Sequence, residues 1–528
     1  MCGPATIGLN LSFFRQRKLF LFIVSKGEQV QLTKMSKFYI TSSLVYTNSF
    51  PHVGFAMELV QADVLARYRR LMGDDVWFLT GTDEHGTTVA RAAEKHGKDP
   101  NVFVNEISEK VKELTKTLNI SNDDFIRTSD KERHWPSVVK FWNELAEAGD
   151  LYKKKYQGLY CVGHESFIKK SELVDGRCLL HKTIPEEIEE ENWFFKLTKY
   201  KKEVKNKIKN GELKIVPESR AKEVLNLIDD AEDISFSRPV SSLKWGIPVP
   251  NDSEQTMYVW ADALTNYISA LGYAENSDKF KKYWPADIHL IGKDILRFHA
   301  IYWPAMLLSA GVSLPKSIYV HGFITVEGEK MSKTVGNVID PLALVEKYGV
   351  EPIRYFLLRE IPSAEDGDFS YKKLEERYNG DLANNLGNLV SRTAKLIETK
   401  LNGELNFETK FVNSEAKEKV EKTAEEYKDA INNFHLHEAL VSVWSLLGYA
   451  NTLLDTNKPW AKDSKPEDVL ETLTTTLGII LNVAWFIKPF IPETSEKIFE
   501  TFGADDDYNT WIGRKLKVKK GESLFPRI

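Results

Sequence analysis

The 528-residue sequence predicts a doubly wound parallel α/β sheet, split by an insert and followed by an all-α helical bundle. Three observations predict it. First, residues 38–45 alternate loosely and are rich in strand formers. A loop follows through Asn48 and Pro51, and Met57, Val60, Val64, Tyr68 and Leu71 then recur at helical spacing up to Gly73. A second apolar run at 76–79 closes on Gly81-Thr82-Asp83-Glu84-His85-Gly86. Strand, loop, helix and strand in that order imply a parallel sheet with ligands at the carboxyl ends of its strands. Second, the text turns Lys/Glu-rich from about 151 to 256 and then returns to β/α spacing, with strands at 288–291 and 318–320. The stretch 151–257 therefore reads as an insert between two halves of one sheet. Third, strands stop after Asp368, where Leu382, Leu386, Leu389, Leu396 and Ile397 open a series of amphipathic helices that runs through 444–447 and 479–490.

Bulk properties narrow the class. Apolar residues make up 42% and charged residues 28%, the balance of a globular chain. The net charge of −5 announces no nucleic-acid binder, so a nucleic-acid ligand would need a local basic face. Three cysteines exclude a disulfide framework and fit a reducing compartment. No run reaches the roughly 18 to 20 apolar residues of a membrane span. The nearest, 477–487, holds Asn482 and reads as a buried helix. Residues 1–34 are read as a leader or disordered extension, with an organelle-targeting peptide or a functional arm as alternatives. They carry Arg15, Arg17 and Lys18 before a six-residue apolar run, which is short for a secretory signal.

Two short signals carry the chemistry. His52-Val53-Gly54-Phe55 follows Tyr46-Thr47-Asn48-Ser49-Phe50-Pro51, and far downstream stands Lys330-Met331-Ser332-Lys333-Thr334. Alone, the first is equally a turn with a capping histidine, and the second a solvated loop with ordinary lysines. Together and in this order they resemble the two ATP-handling signatures of the class I aminoacyl-tRNA synthetases. The segments between them narrow the resemblance to the methionyl-tRNA synthetase family over residues 36–528. The resemblance implies a Rossmann-like catalytic domain that uses ATP and Mg²⁺ to form methionyl-adenylate, then esterifies the 3′ end of methionine tRNA.

What it implies for single residues follows. His52 can donate to a phosphate and Gly54 lets the backbone approach ATP. Lys330 and Lys333, on a Gly-containing mobile loop, would close over the triphosphate, Lys333 being the lysine most tied to ATP. The family signature usually ends in a second histidine where this chain has Phe55. Gly292-Lys293-Asp294-Ile295-Leu296-Arg297-Phe298-His299 matches a third family element, G-x-D-x4-H, with Gly292 at the nucleotide and Asp294 on ribose hydroxyls. Leu44, Tyr46, Trp260, Ala263, Tyr267, Ile295 and His299 would line the methionine side chain, where sulfur–aromatic contacts suit a thioether. Asp83 would hold the substrate ammonium. Simple core packing is the alternative for Trp260 and Tyr267.

The insert carries Cys161-x2-His164-x13-Cys178-x2-His181, two close pairs that suit one structural, tetrahedral Zn²⁺. The alternative is two buried thiols and two surface histidines. The family usually has Cys where this chain has His164. In the bundle, Asn388 and Arg392 share a helix face, and Asn457-Lys458-Pro459-Trp460 resembles the family's anticodon reader, with Pro459 setting Trp460 to stack a base. The expected domains are 1–34 leader, 35–150 and 258–318 the catalytic halves, 151–257 the zinc-knuckle insert, 319–372 the Lys330 loop and stem-contact region, and 373–528 the anticodon bundle. A cytoplasmic monomer serving initiator and elongator methionine tRNA is expected, with an organellar location if 1–34 is a targeting peptide. Two other classes are a small nucleotidylyltransferase and an inactive tRNA-binding relative, the latter raised by Phe55. Neither accounts for the retention of His52, Asp83, Lys330 and Lys333 together with the Trp260 segment.

Overall fold

The computed structural model describes residues 36–168, 170, 173–179, 182–331, 336–507, 512–519 and 523–528. The expected leader, Lys333 and His181 lie outside the described residues, as do the side chains of Lys330 and His164. The central element is a seven-stranded parallel sheet built from β1 (Lys37–Thr41), β2 (Val45–Tyr46), β3 (Asp75–Asp83), β4 (Asp124–Arg127) and three later strands, Lys214–Val216, Ile288–Gly292 and Ser317–His321. β1 lies between β3 and Ile288–Gly292, with Ile40 opposite both Phe78 and Ile288.

Alternation along these strands explains why helices cover both faces. Phe38, Ile40, Phe78 and Leu290 point into one core, and Tyr39, Leu79, Ile291 and Val320 into the other. Helix α1 (Val53–Leu71) packs on the first face, and the same hydrophobic cluster continues without a break into the helical bundle.

Several expectations change. The strand expected over 38–45 is two strands. Thr41 faces Leu79 but Val45 faces Thr82, a one-residue slip that ejects Ser42–Leu44 from the ladder and lets the Ser43 N–H reach Glu58. The strand expected at 76–79 runs on through Asp83, because β4 pairs with 79–82 from the other side. Lys214–Val216, inside the expected insert, is an edge strand of the main sheet, parallel to Ser317–His321. The rest of that stretch holds a separate antiparallel sheet, built on β5 (Leu151–Cys161) paired along its length with Glu186–Phe195. Strands do not end at Asp368: Glu404–Asn406 and Lys515–Lys517 pair antiparallel within the helical region.

The bundle comprises helices Ser414–Asn432, Leu436–Asn457, Pro466–Ile487 and Pro492–Phe502, joined to the sheet by Asn388–Lys400. Pro466–Ile487 is long and apolar enough to cross a membrane, yet 83% of its most apolar window is buried inside the protein. Arg354 ties bundle to sheet. With no exposure, it donates to Asp63 Oδ2 on α1 at 2.7 Å, to the Leu118 carbonyl at 2.9 Å and to the Phe490 carbonyl at 2.8 Å. A buried guanidinium tolerates that position only with a paired carboxylate and several acceptors.

Candidate functional site

The loops leaving the carboxyl ends of β1, β3 and Ile288–Gly292 surround a cavity of about 650 Å³. Leu44, Tyr46, Asp83, Trp260, Ala263, Tyr267, Ile295 and His299 all line it, as do His52, Gly54, Gly292 and Asp294. Twelve residues chosen from five sequence segments thus meet at one opening. Met331, between the two signature lysines, reaches the same wall.

The nucleotide-side elements have a clear local logic. α1 begins at Val53, so Gly54 sits inside its first turn rather than before it, and His52 is the N-cap. The Gly54 N–H donates to His52 Nδ1 at 3.1 Å, so the ring proton belongs on Nε2. The capping role and a donor role for His52 are therefore compatible. A Cβ at Gly54 would lie 2.9 Å from His52 Cε1 and displace the ring. Phe55 is buried in the core beside it. Lys330 closes a hairpin, Ile324–Val326 against Glu329–Lys330, whose Glu327-Gly328 turn has φ of 50° and 81°. Its backbone is thus a strand end rather than the expected loop.

The apolar half is built from rings. Trp260 lies flat on Phe298 with centroids 3.8 Å apart. The Tyr267 hydroxyl is 2.7 Å from His299 Nε2, and His299 Nδ1 is 3.0 Å from the Ile295 carbonyl. That carbonyl fixes the proton on Nδ1, so Nε2 accepts from Tyr267. Burial pushes the His299 imidazole down to about 4, leaving a neutral ring in the wall. Asp83 is buried at the polar end. Burial and the neighbouring Asp262 carboxylate raise its pKa well above the usual carboxylate range.

Sequence reasoning missed three parts of the site. Glu58, on α1 amid apolar neighbours, accepts from Ser43 N at 2.7 Å and Ser43 Oγ at 2.6 Å, and pairs with His321 Nε2 at 2.9 Å. A carboxylate inside the apolar run 55–60 was the available signal. Glu165 accepts from the Tyr46 hydroxyl at 2.9 Å and the Tyr160 hydroxyl at 3.0 Å, so the insert reaches the cavity wall. Asp262 accepts from His85 Nδ1 at 2.6 Å and His134 Nε2 at 2.7 Å; His85 stands in the 81–86 turn and Asp262 in the Trp260 segment, but nothing in the sequence pairs them.

In the insert, Cys161 and Cys178 are both buried in one small cluster with Ile168. Among the described residues no group of three or more metal-type side chains assembles, and the four-residue set itself includes His164 and His181, outside the described side chains. In the bundle, Arg392 pairs with Asp455 at 2.6 Å and lies 5.4 Å over the Trp460 ring. Trp460 is 43% exposed, Pro459 is buried behind it, and Asn388 is exposed one helical turn before Arg392.

The Glu58–His321 pair makes a pH-dependent prediction. Burial alone would lower the His321 pKa, but the Glu58 carboxylate and the Gly322 carbonyl outweigh it and the pKa is raised. Its stabilisation is therefore complete below about pH 6.5, the unperturbed imidazole value, and is lost as pH rises through the raised value. Glu58→Gln should lower stability by about 3 kcal/mol near neutral pH and flatten that alkaline decline, read from urea midpoints against pH. An unchanged slope in the variant would contradict the pairing.

Comparison with known proteins gives this geometry a context. The profile for tRNA synthetases class I (M) matches residues 38–178 and 168–394, and that for the anticodon-binding domain of tRNA ligase matches 414–522. The methionine–tRNA ligase of Caldanaerobacter subterraneus subsp. tengcongensis is 44% identical over 510 residues, covering 93% of this chain and 79% of that protein. That of Brucella melitensis biotype 1 is 40% identical over 479 residues, covering 89% and 92%. The solved structure of Mycobacterium tuberculosis methionyl-tRNA synthetase in complex with methionyl-adenylate matches with a TM-score of 0.88 at 38% identity, covering 93% of this chain and all of that one. With relatives spanning nearly its whole length and a cavity assembled from the same signature segments, this chain belongs to the methionine–tRNA ligase family of class I aminoacyl-tRNA synthetases.

Proposed function

We propose that the cavity binds methionine and ATP, joins them as methionyl-adenylate with release of pyrophosphate, and passes the methionyl group to the 3′ end of a methionine tRNA held by the bundle. The observation that carries this reading is the convergence of His52, Gly54, Gly292 and Asp294 with Asp83 and the Trp260–Tyr267–His299 wall around one opening. Asp83 accepts the substrate ammonium, and the neutral ring wall takes the thioether, whose polarisable sulfur suits aromatic edges. So oriented, the methionine carboxylate oxygen forms its bond to the α-phosphorus while the bond to the bridging oxygen breaks and pyrophosphate leaves. His52 donates from Nε2 to a phosphate, and Lys330 and Lys333 neutralise charge developing on the triphosphate. Asp294 holds ribose hydroxyls, and Gly292 keeps space for it, since a Cβ there would lie 2.8 Å from Asp294 Oδ1. Phe55, buried but also lining the cavity, offers no polar group, so phosphate contact falls to His52 and the lysines. Mg²⁺, bound with ATP, would supply further neutralisation of the phosphate charge.

In the second step the terminal ribose hydroxyl attacks the adenylate carbonyl and AMP leaves. Trp460 stacks an anticodon base while Arg392 and Asn388 read edges beside it. The exposed ring backed by buried Pro459 supports this. Cys161, His164, Cys178 and His181 would hold one structural Zn²⁺, a reading supported by the burial of both thiols in one cluster. The reading keeps the expected division into catalytic halves, insert and anticodon bundle. It takes the chain as a cytoplasmic monomer serving initiator and elongator methionine tRNAs.

Pyrophosphate exchange into ATP, run with each amino acid, tests the activity. Methionine alone should support it, Lys333→Ala should slow it by about 100-fold or more, and Trp460→Ala should raise KM for tRNA by about tenfold. Exchange with another amino acid would overturn the reading. For the metal, elemental analysis of purified protein should find zinc, lost in Cys161→Ser. A folded wild-type chain without zinc would contradict that assignment.

A further inference from the structure

Asp262 is not among the residues that line the cavity, yet it is a buried carboxylate beside the site held by two imidazoles. It is 1% exposed, on the short helix Val259–Ala263 that also carries Trp260 and Ala263. An ionised carboxylate only accepts hydrogen bonds, so His85 donates from Nδ1 to Oδ2 and His134 from Nε2 to Oδ1. His134 is anchored in turn by Ser269 Oγ at 2.7 Å. His85 lies two residues after Asp83, in the turn that leaves β3. Its ring is wedged edge-on between Trp135 and Trp245, with centroids 6.0 and 5.4 Å away.

We propose that Asp262 is a positioning residue for recognition of the substrate ammonium. Through His85 it ties the turn carrying Asp83 to the helix carrying the methionine wall, and it sets a second buried negative charge beside Asp83. This rests on the reading of Asp83 as the ammonium acceptor. Two consequences follow, one geometric and one electrostatic. The turn and the helix come from opposite halves of the sheet, and the His85–Asp262 contact is the hydrogen bond that registers ammonium site to side-chain site. The charge on Asp262 opposes ionisation of Asp83, which also faces Glu165 from the insert, Glu84 from its own turn, and the hydroxyls of Tyr46 and Tyr267. Asp262 itself stays ionised: burial opposes its charge, but its imidazole partners hold it below the usual carboxylate range. A substrate cation is thereby drawn to a pair of carboxylates of which only one is reachable. A neutral isostere of the ammonium gains nothing there.

The test is methionine-dependent pyrophosphate exchange by the full chain across about pH 5.5 to 8.5, above the ordinary carboxyl range. KM for methionine and KM for ATP are measured separately. In the wild type, KM for methionine should fall as pH rises through the Asp83 ionisation. In Asp262→Asn that inflection should move to lower pH while the ATP curve stays put. An inflection left where the wild type has it would overturn the proposal. His85→Gln removes the imidazole donor that ties the turn to the helix while leaving the His134 bond to Asp262, and serves also if Asp262→Asn fails to fold. It should raise KM for methionine by about tenfold with KM for ATP within about twofold, the size of one hydrogen bond to a charged group. Equal rises in both, or a rise in neither, would overturn the positioning role. Absence of methionine-dependent exchange in the wild type would overturn instead the reading on which the proposal rests.

Discussion

The parallel ladder between Lys37–Thr41 and Ile288–Gly292 is the contact on which the rest of the structure depends. It joins residues from opposite ends of the catalytic text, Ile40 to Ile288 and Thr41 to His289. Asp287 reinforces the join by accepting from the Tyr39 N–H at 2.8 Å and from Lys316 at 2.6 Å. Only because these strands are neighbours do Leu44, after β1, and Tyr46, in β2, share a cavity with Asp294 and Ile295, leaving the later strand. A parallel pair cannot be closed by a tight turn, so the long connection is required by topology, and the insert occupies part of it.

Charge in the cavity is arranged by end. The end at Asp83 gathers Asp262, Glu165 and Glu84, and the donors around them are committed: Arg127 donates to Glu84, and His85 and His134 to Asp262. The other end pairs the buried Glu58 carboxylate with His321, so that pair contributes little net field. An ammonium group is favoured at the first end. At the second, the helix N-terminus at His52 favours phosphate. The neutral ring wall between them separates the two without a charge of its own.

The parts of this arrangement legible in the sequence are those carried by contiguous residues. The His52 turn, the Trp260 segment and the Gly292–His299 element each declare themselves within eight residues or so, because strand end, glycine and polar side chain recur at fixed offsets. The sheet was legible through its apolar runs. Lys214–Val216 was not, because an edge strand of three residues cut off by Pro217 has no periodicity to read. Nor was the slip at Ser42–Leu44, which depends on a carboxylate from α1. Glu58–His321 and His85–Asp262–His134 escaped for the same reason. Each joins residues more than a hundred positions apart, and burial of a polar side chain is visible only once its partner is known. The hairpin at Lys330 was misread as a loop because its Glu-Gly turn resembles open loop text.

The central claim is that both halves of the split sheet close on one ligand. Hydrogen–deuterium exchange, with and without a non-hydrolysable methionyl-adenylate analogue, tests it most directly. The account predicts joint protection of 42–47 and 83–88 on one side of the ladder and of 259–267 and 292–299 on the other. Protection confined to one side of the ladder, or centred elsewhere in the chain, would contradict it.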